Sequence, residues 1–161
     1  MRQQRLERSQ GGIAPRRTRT VATAAPLVAF TGKCVGVTDG DTVKVMLGGR
    51  AATIRLVGID APEKKQAFGE VSKQALSQMA FGKNLTVYPT GHDRYGRTLG
   101  WVFVGRSNLN SAQVQNGYAW WYRQYSPKET KIAALEAAAR AGRVGLWRAA
   151  APVAPWAWRK R

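Results

Sequence analysis

Short β-rich apolar runs separated by Gly and Asp turns fill residues 33–59, and from residue 70 the apolar spacing becomes helical. Lys33–Thr38 reads as a strand ending at the Asp39-Gly40 turn. Thr42–Leu47 is a second strand that runs into a Gly48-Gly49 hairpin, and Ala51–Ile59 is the return strand of this meander. Glu70–Ala80 predicts a helix with Val71, Ala75, Leu76 and Met79 on one buried face and Gly82 as its stop. Leu85–Tyr88 and Thr98–Val104 supply a fourth and a fifth strand, the last with Trp101 and Phe103 on one side. Asn108 caps a further helix ending at Gly117. Ser126, Pro127 and Glu129 form a capping box before a third, whose buried stripe is Ile132, Leu135 and Ala139. Gly142 ends that helix, and Gly145-Leu146-Trp147 packs its end down.

Five strands, with a helix after the third and helices at the end, predict a mainly β chain with α (α+β). The expected fold is a five-stranded Greek-key barrel of the oligonucleotide/oligosaccharide-binding type (OB-fold) with about three helices. The domain is expected at residues 32–148. A basic, disordered tail is expected at residues 1–31, and a basic Trp- and Pro-containing tail at residues 149–161. Val21–Phe30 is a weakly apolar stretch behind several arginines, interrupted by Pro26; it could serve as a degenerate export signal, but its basic lead is long and its apolar run short for one.

Composition narrows the function. The chain has 161 residues with 26 Lys and Arg against 9 Asp and Glu, one His and one Cys. A single Cys makes no internal disulfide, and one His with one Cys excludes a zinc or iron–sulfur site built from nitrogen and sulfur ligands. No run reaches the ~20 apolar residues of a membrane helix. Residues 1–31 carry six Arg against Glu7, and residues 148–161 carry four basic residues and no acid. The middle still holds twice as many basic as acidic residues, so the domain itself attracts polyanions, nucleic acid above all.

The few acids are concentrated. Four of the nine fall in Asp39-Gly40-Asp41-Thr42 and Asp60-Ala61-Pro62-Glu63. Either motif alone is an ordinary strand turn or strand exit. Together they place Asp41 at the start of one strand and Asp60 at the end of the next, where strand ends can meet. Two carboxylates, a carbonyl and water form a hard oxygen site suited to Ca²⁺ or Mg²⁺. Pro62 aims Glu63 across the same opening. Arg55 stands five residues before Asp60, and odd spacing puts the two on opposite faces of an ideal strand. A bulge or twist, most easily at Gly58, is needed to bring both to one site. Asp93-Arg94-Tyr95-Gly96-Arg97 forms a third motif just before the fifth strand.

These three motifs, in this order and on this strand pattern, resemble the staphylococcal nuclease-like (thermonuclease) family over about residues 32–147. The resemblance implies calcium-dependent, sugar-nonspecific cleavage of DNA and RNA that leaves 3′-phosphates and 5′-hydroxyls, with Ca²⁺ favoured over Mg²⁺. It makes Asp41, Asp60 and the backbone of Ala61 the metal ligands, with Asp39 behind them. It makes Glu63 the general base or water-positioner and Arg55 and Arg97 the phosphate-binding arginines. Arg94, Tyr95, Tyr122 and Tyr125 match positions that contact the nucleotide. It also implies a monomer acting outside the cytoplasm, although the N-terminus is a poor signal.

A second reading is a noncatalytic nucleic-acid-binding module on the same barrel. The set Arg55, Asp41, Asp60, Glu63 and Arg97 discriminates the two, because degenerate relatives lose it. A third is a mobilisation-associated DNA-processing factor recruited by the basic tails. His92 is assigned to an exposed turn, Cys34 to packing, and Trp101, Phe103 and Trp147 to the core. Of Trp120 and Trp121, one is expected to pack and the other to face substrate. Trp156 and Trp158 either bind nucleic acid or dock on the barrel. Gln113 is expected to weaken the packing of its helix, because relatives place an apolar residue there.

Overall fold

The computed structural model describes residues 27–161. Residues 21–26 of the stretch that could serve as an export signal, and most of the N-terminal tail, lie outside the described residues. The barrel begins within the expected tail, because β1 spans Phe30–Asp39 and its first residues pair with β5.

β1, β2 (Thr42–Leu47) and β3 (Arg50–Leu56) form the antiparallel meander. β4 is the short Ile59–Asp60, followed by α1 (Gly69–Ala80), β5 (Asn84–His92) and β6 (Thr98–Val104). The strand order is β3-β2-β1-β5-β6, and a parallel pairing of β3 with β6 (Arg55 opposite Leu99) closes the five strands into a barrel. Closure leaves no long unpaired edge among these strands. β7 (Ser107–Asn108) extends β6, and α2 (Leu109–Gln115) follows it. Asn108 caps α2 as expected, its side chain accepting from the Ser111 N–H. β8 (Trp120–Trp121) pairs with β4; α3 (Thr130–Ala141), a 3₁₀ turn (Gly145–Arg148) and α4 (Pro155–Trp158) complete the chain.

Cys34, Val43, Val45, Ile54, Leu56, Val87 and Val102 fill the barrel, with Leu76 of α1 and Leu109 and Val114 of α2 closing it. A second, smaller cluster gathers Trp120, Ala139, Leu146 and Trp147. Trp147 is therefore core, as expected, and the Cys34 thiol is buried against the Gly36 carbonyl.

Several local expectations are corrected. The single return strand is broken at Val57-Gly58, where Gly58 takes φ +85°. This left-handed residue supplies the twist needed to bring Arg55 and Asp60 together. In α1 the buried face runs through Ser72, Leu76 and Ala80, and Val71 is exposed. The helix turns this way because Ser72 lies under Gly40 and its hydroxyl donates to the Tyr118 carbonyl. On β6 the inward residue is Val102. Trp101 and Phe103 point the other way and stay partly exposed, although Trp101 packs against the barrel's apolar residues.

The capping box does not form. α3 starts at Thr130 without a side-chain cap, because the Ser126 carbonyl accepts from Glu129 N–H and from the Trp121 indole, holding residues 126–129 in a turn. Glu136 joins Ile132 and Ala139 in the buried stripe, where it accepts from the Trp121 N–H and pairs with Arg140. Gln113 is fully buried and packs as a polar strut, donating to the carbonyls of Gly40 and Ser72.

Candidate active site

Three structural units meet at one end of the barrel. The first is the turn between β1 and β2. Asp41 is buried here, its Oδ1 accepting from the Thr42 hydroxyl at 2.9 Å and its Oδ2 from the Ala61 N–H at 2.7 Å. Asp39 accepts from the Asp41 N–H, which holds the two acids on one turn. Gly40 between them has no room for a Cβ, which would strike the Ser72 hydroxyl and the Ala61 methyl.

The second unit is the β3–β4 corner. Arg55 leaves β3 and turns back across Gly58. Its Nη1 donates to the carbonyls of Leu56 and Ile59, and its Nη2 lies 3.3 Å from Asp41 and 3.2 Å from Asp60. One guanidinium thus bridges the two carboxylates and clamps the corner that positions one of them. Asp60 is held from the other side by the β4–β8 pairing, opposite Trp120. Beyond Pro62, Glu63 is part-exposed, and the loop folds back on it through mutual bonds with Gln66.

The third unit is the hairpin before β6. Asp93 Oδ2 accepts from Arg97 Nε, while its Oδ1 accepts from the Tyr95 and Arg97 N–H groups. Both Arg94 and Arg97 lie over the exposed Tyr95 ring.

The units enclose a cleft of about 690 Å³. Of the residues that the family resemblance assigns to the site, all line it except Ala61, whose N–H reaches it only through Asp41. Tyr122 and Tyr125 form one wall, packed edge to face. His92 is exposed and outside the lining. Neither Trp120 nor Trp121 lines the cleft; Trp120 packs on Trp147 and Trp156.

Charge crowding marks the floor of the cleft. Burial first, then the neighbouring Asp41, push Asp39 up to about 8, and burial pushes Asp60 up to about 6. Burial also opposes the charge on Asp41. The Arg55 guanidinium and the hydrogen bonds from Asp39, Ala61 and Thr42 outweigh it and hold that carboxyl below its ordinary value. The floor carries more buried negative charge than Arg55 alone offsets, and its donors are all oxygens, which fits a hard divalent cation. Among the described residues no three acidic, His or Cys side chains converge as a cage. Asp41 and Asp60 would therefore need carbonyl and water oxygens to complete a coordination shell.

One site residue escaped the sequence reading. Arg159, at the end of α4, donates to both oxygens of Asp60 (2.7 and 3.1 Å), to Glu63 (2.8 Å) and to the Tyr122 hydroxyl (3.2 Å). Trp156 of the same helix stacks on Tyr122, with ring planes 5° apart. The segment read as a tail folds against the site. The only signal was its composition, two tryptophans beside three basic residues, and the packing of Trp156 answers the choice left open for that residue in favour of docking.

The chain is thus a closed five-stranded OB-type barrel with acids and arginines gathered in one cleft. The chain belongs to the staphylococcal nuclease homologue family, whose model matches residues 53–149. It is 43% identical over 151 residues to the protein ParB of Escherichia coli, covering 87% of this chain and 85% of that one. It is 38% identical over 159 residues to the micrococcal nuclease of Shigella flexneri, covering 88% and 91%. An uncharacterized endonuclease of Haemophilus influenzae is 40% identical over 143 residues, covering 88% and 80%.

Proposed function

We propose that this protein is a calcium-dependent, sugar-nonspecific endonuclease that hydrolyses phosphodiester bonds of DNA and RNA and leaves 3′-phosphate ends. The observation that carries this reading is the convergence of Asp41, Asp60, Glu63, Arg55 and the Asp93–Arg97 hairpin on one cleft of a basic barrel. The surrounding positive charge draws the substrate in.

Asp41, Asp60 and the backbone at Ala61 would hold the divalent cation, with Asp39 supporting Asp41. When bound, such a cation supplies positive charge beside the non-bridging oxygens of the scissile phosphate. Arg97, aimed by Asp93, pairs with the phosphate through its guanidinium, whose planar donors suit that geometry. Arg55 keeps the two carboxylates in register and presents its own charge to the same phosphate. Glu63 orients a water and accepts its proton as the oxygen attacks phosphorus. The bond to the 5′ oxygen breaks, and a proton passes to that leaving oxygen. Arg94, Tyr95, Tyr122 and Tyr125 line the path of the nucleotide; the tyrosine rings suit stacking on any base, and the Arg94 guanidinium suits the backbone phosphate.

Cleavage of single-stranded DNA, duplex DNA and RNA with Ca²⁺, Mg²⁺ or chelator, compared with Glu63→Ala, tests this reading. Cutting that needs Ca²⁺ and falls at least ~100-fold in the variant supports it. Salt-sensitive binding without cutting under any metal overturns it in favour of a binding module.

A further inference from the structure

The basic C-terminal segment reaches into the cleft and sets a guanidinium against the two acids that most need to be free. Val153 is tied down by the Gln66 side-chain amide, which donates to its carbonyl at 2.6 Å. Trp156 is wedged between Trp120 and Tyr122. Pro155 is buried, and α4 ends one residue before Arg159. The guanidinium is therefore delivered by an anchored element.

Its donors are committed to the site. Both oxygens of Asp60 accept from Arg159, and Asp60 Oδ1 also accepts from Arg55. Glu63 Oε1 accepts from Arg159 as well. A cation drawn to Asp60 meets this positive charge, and a water drawn to Glu63 meets an oxygen already bonded. We infer that Arg159 is a built-in competitor of the divalent cation, holding Asp60 and Glu63 until cation binding displaces it, so that the C-terminal segment sets the site's cation affinity. This inference rests on the proposed cation site. The pair is partly exposed, with about 37% of the Arg159 side chain accessible, so the competition is moderate.

The test is Ca²⁺ titration of the full-length protein by calorimetry, with no nucleic acid present, comparing the native chain with Arg159→Ala, Arg159→Gln and Asp60→Asn. Thermal unfolding in chelator and in Ca²⁺ is followed in parallel. Removing the guanidinium is expected to tighten Ca²⁺ binding about three- to tenfold in both Arg159 variants. It is also expected to lower the melting temperature in chelator and enlarge the rise that Ca²⁺ produces. Unchanged or weaker Ca²⁺ binding in folded Arg159 variants overturns the inference while leaving the cation site standing. Absence of Ca²⁺ binding in the native chain and in both Arg159 variants overturns the site itself, and the inference with it. Ca²⁺ binding that persists unchanged in Asp60→Asn overturns the inference by placing the cation elsewhere.

Discussion

The side-chain amide of Gln113 donates to the carbonyl of Gly40 at 2.8 Å, across 73 residues of sequence. This bond ties the turn carrying Asp39 and Asp41 to α2, and a second bond from the same nitrogen reaches Ser72 of α1. Replacing Gln113 by Leu keeps the volume but removes the bond to the Gly40 carbonyl and the extra bond to Ser72, whose carbonyl keeps its helical partner. The expected cost is about 1–3 kcal/mol in urea unfolding, accompanied by weaker nuclease activity. A Gln113→Leu protein as stable and as active as the native chain would show that the turn holds itself.

Gly58 is the pivot that lets Arg55 face Asp60. Its φ of +85° is costly for any residue with a Cβ, and Trp101 lies 3.4 Å from where that atom would sit. Gly58→Ala is expected to lose about 1–3 kcal/mol of stability, read from the urea midpoint. Activity should fall further than stability explains, because the Arg55 clamp spans this corner.

The crowded acids give the metal-free protein a defined pH response. Asp39 and Asp60 carry pKa values raised to about 8 and about 6, so the fold holds their protons more tightly than the unfolded chain does. Their contribution to stability is favourable at low pH and is lost as pH rises from the ordinary carboxylate value, near 3.8, to about 8. In chelator, Asp39→Asn should match the native chain at low pH and exceed it in stability above pH ~8. Denaturant midpoints across that range check the sign. Equal pH profiles for the two proteins would contradict it.

Asp93 has the opposite sign. Burial works against its charge, but the Arg97 backbone and guanidinium and the Tyr95 N–H outweigh it and hold the carboxyl below its ordinary value. Its stabilisation is present above the unfolded carboxylate pKa and is lost as pH falls below that value through the lower folded one. At neutral pH its task is to aim Arg97. Arg97→Ala is expected to lower kcat on the order of 10²-fold, and Asp93→Asn to cost less while acting through the same guanidinium. The double variant should then be no slower than Arg97→Ala alone, which steady-state cleavage rates measure.

By itself the sequence determined the five barrel strands, the helix after the meander and the acidic and basic motifs of the cleft. These are local signals: β-rich runs between turns, and acids confined to two short motifs in a basic chain. The need for a twist between Arg55 and Asp60 also followed from strand geometry, because side chains alternate at a period of two.

Tertiary structure decided the rest. The face of α1 was set by Ser72 fitting under Gly40, a contact that periodicity cannot register because serine scores as polar. The start of α3 was moved because the Glu129 N–H, which a Ser126 hydroxyl cap would take, bonds to the Ser126 carbonyl in a turn that the Trp121 indole also holds. Gln113 reads as a packing defect until Gly40 and Ser72 arrive to accept its protons. Arg159 reads as tail charge, because nothing local says that a residue 96 positions after Glu63 will pair with it. Hydrophobic pattern and turn chemistry are written along the chain, whereas the partner of a buried amide or a guanidinium is fixed only when distant segments are brought together.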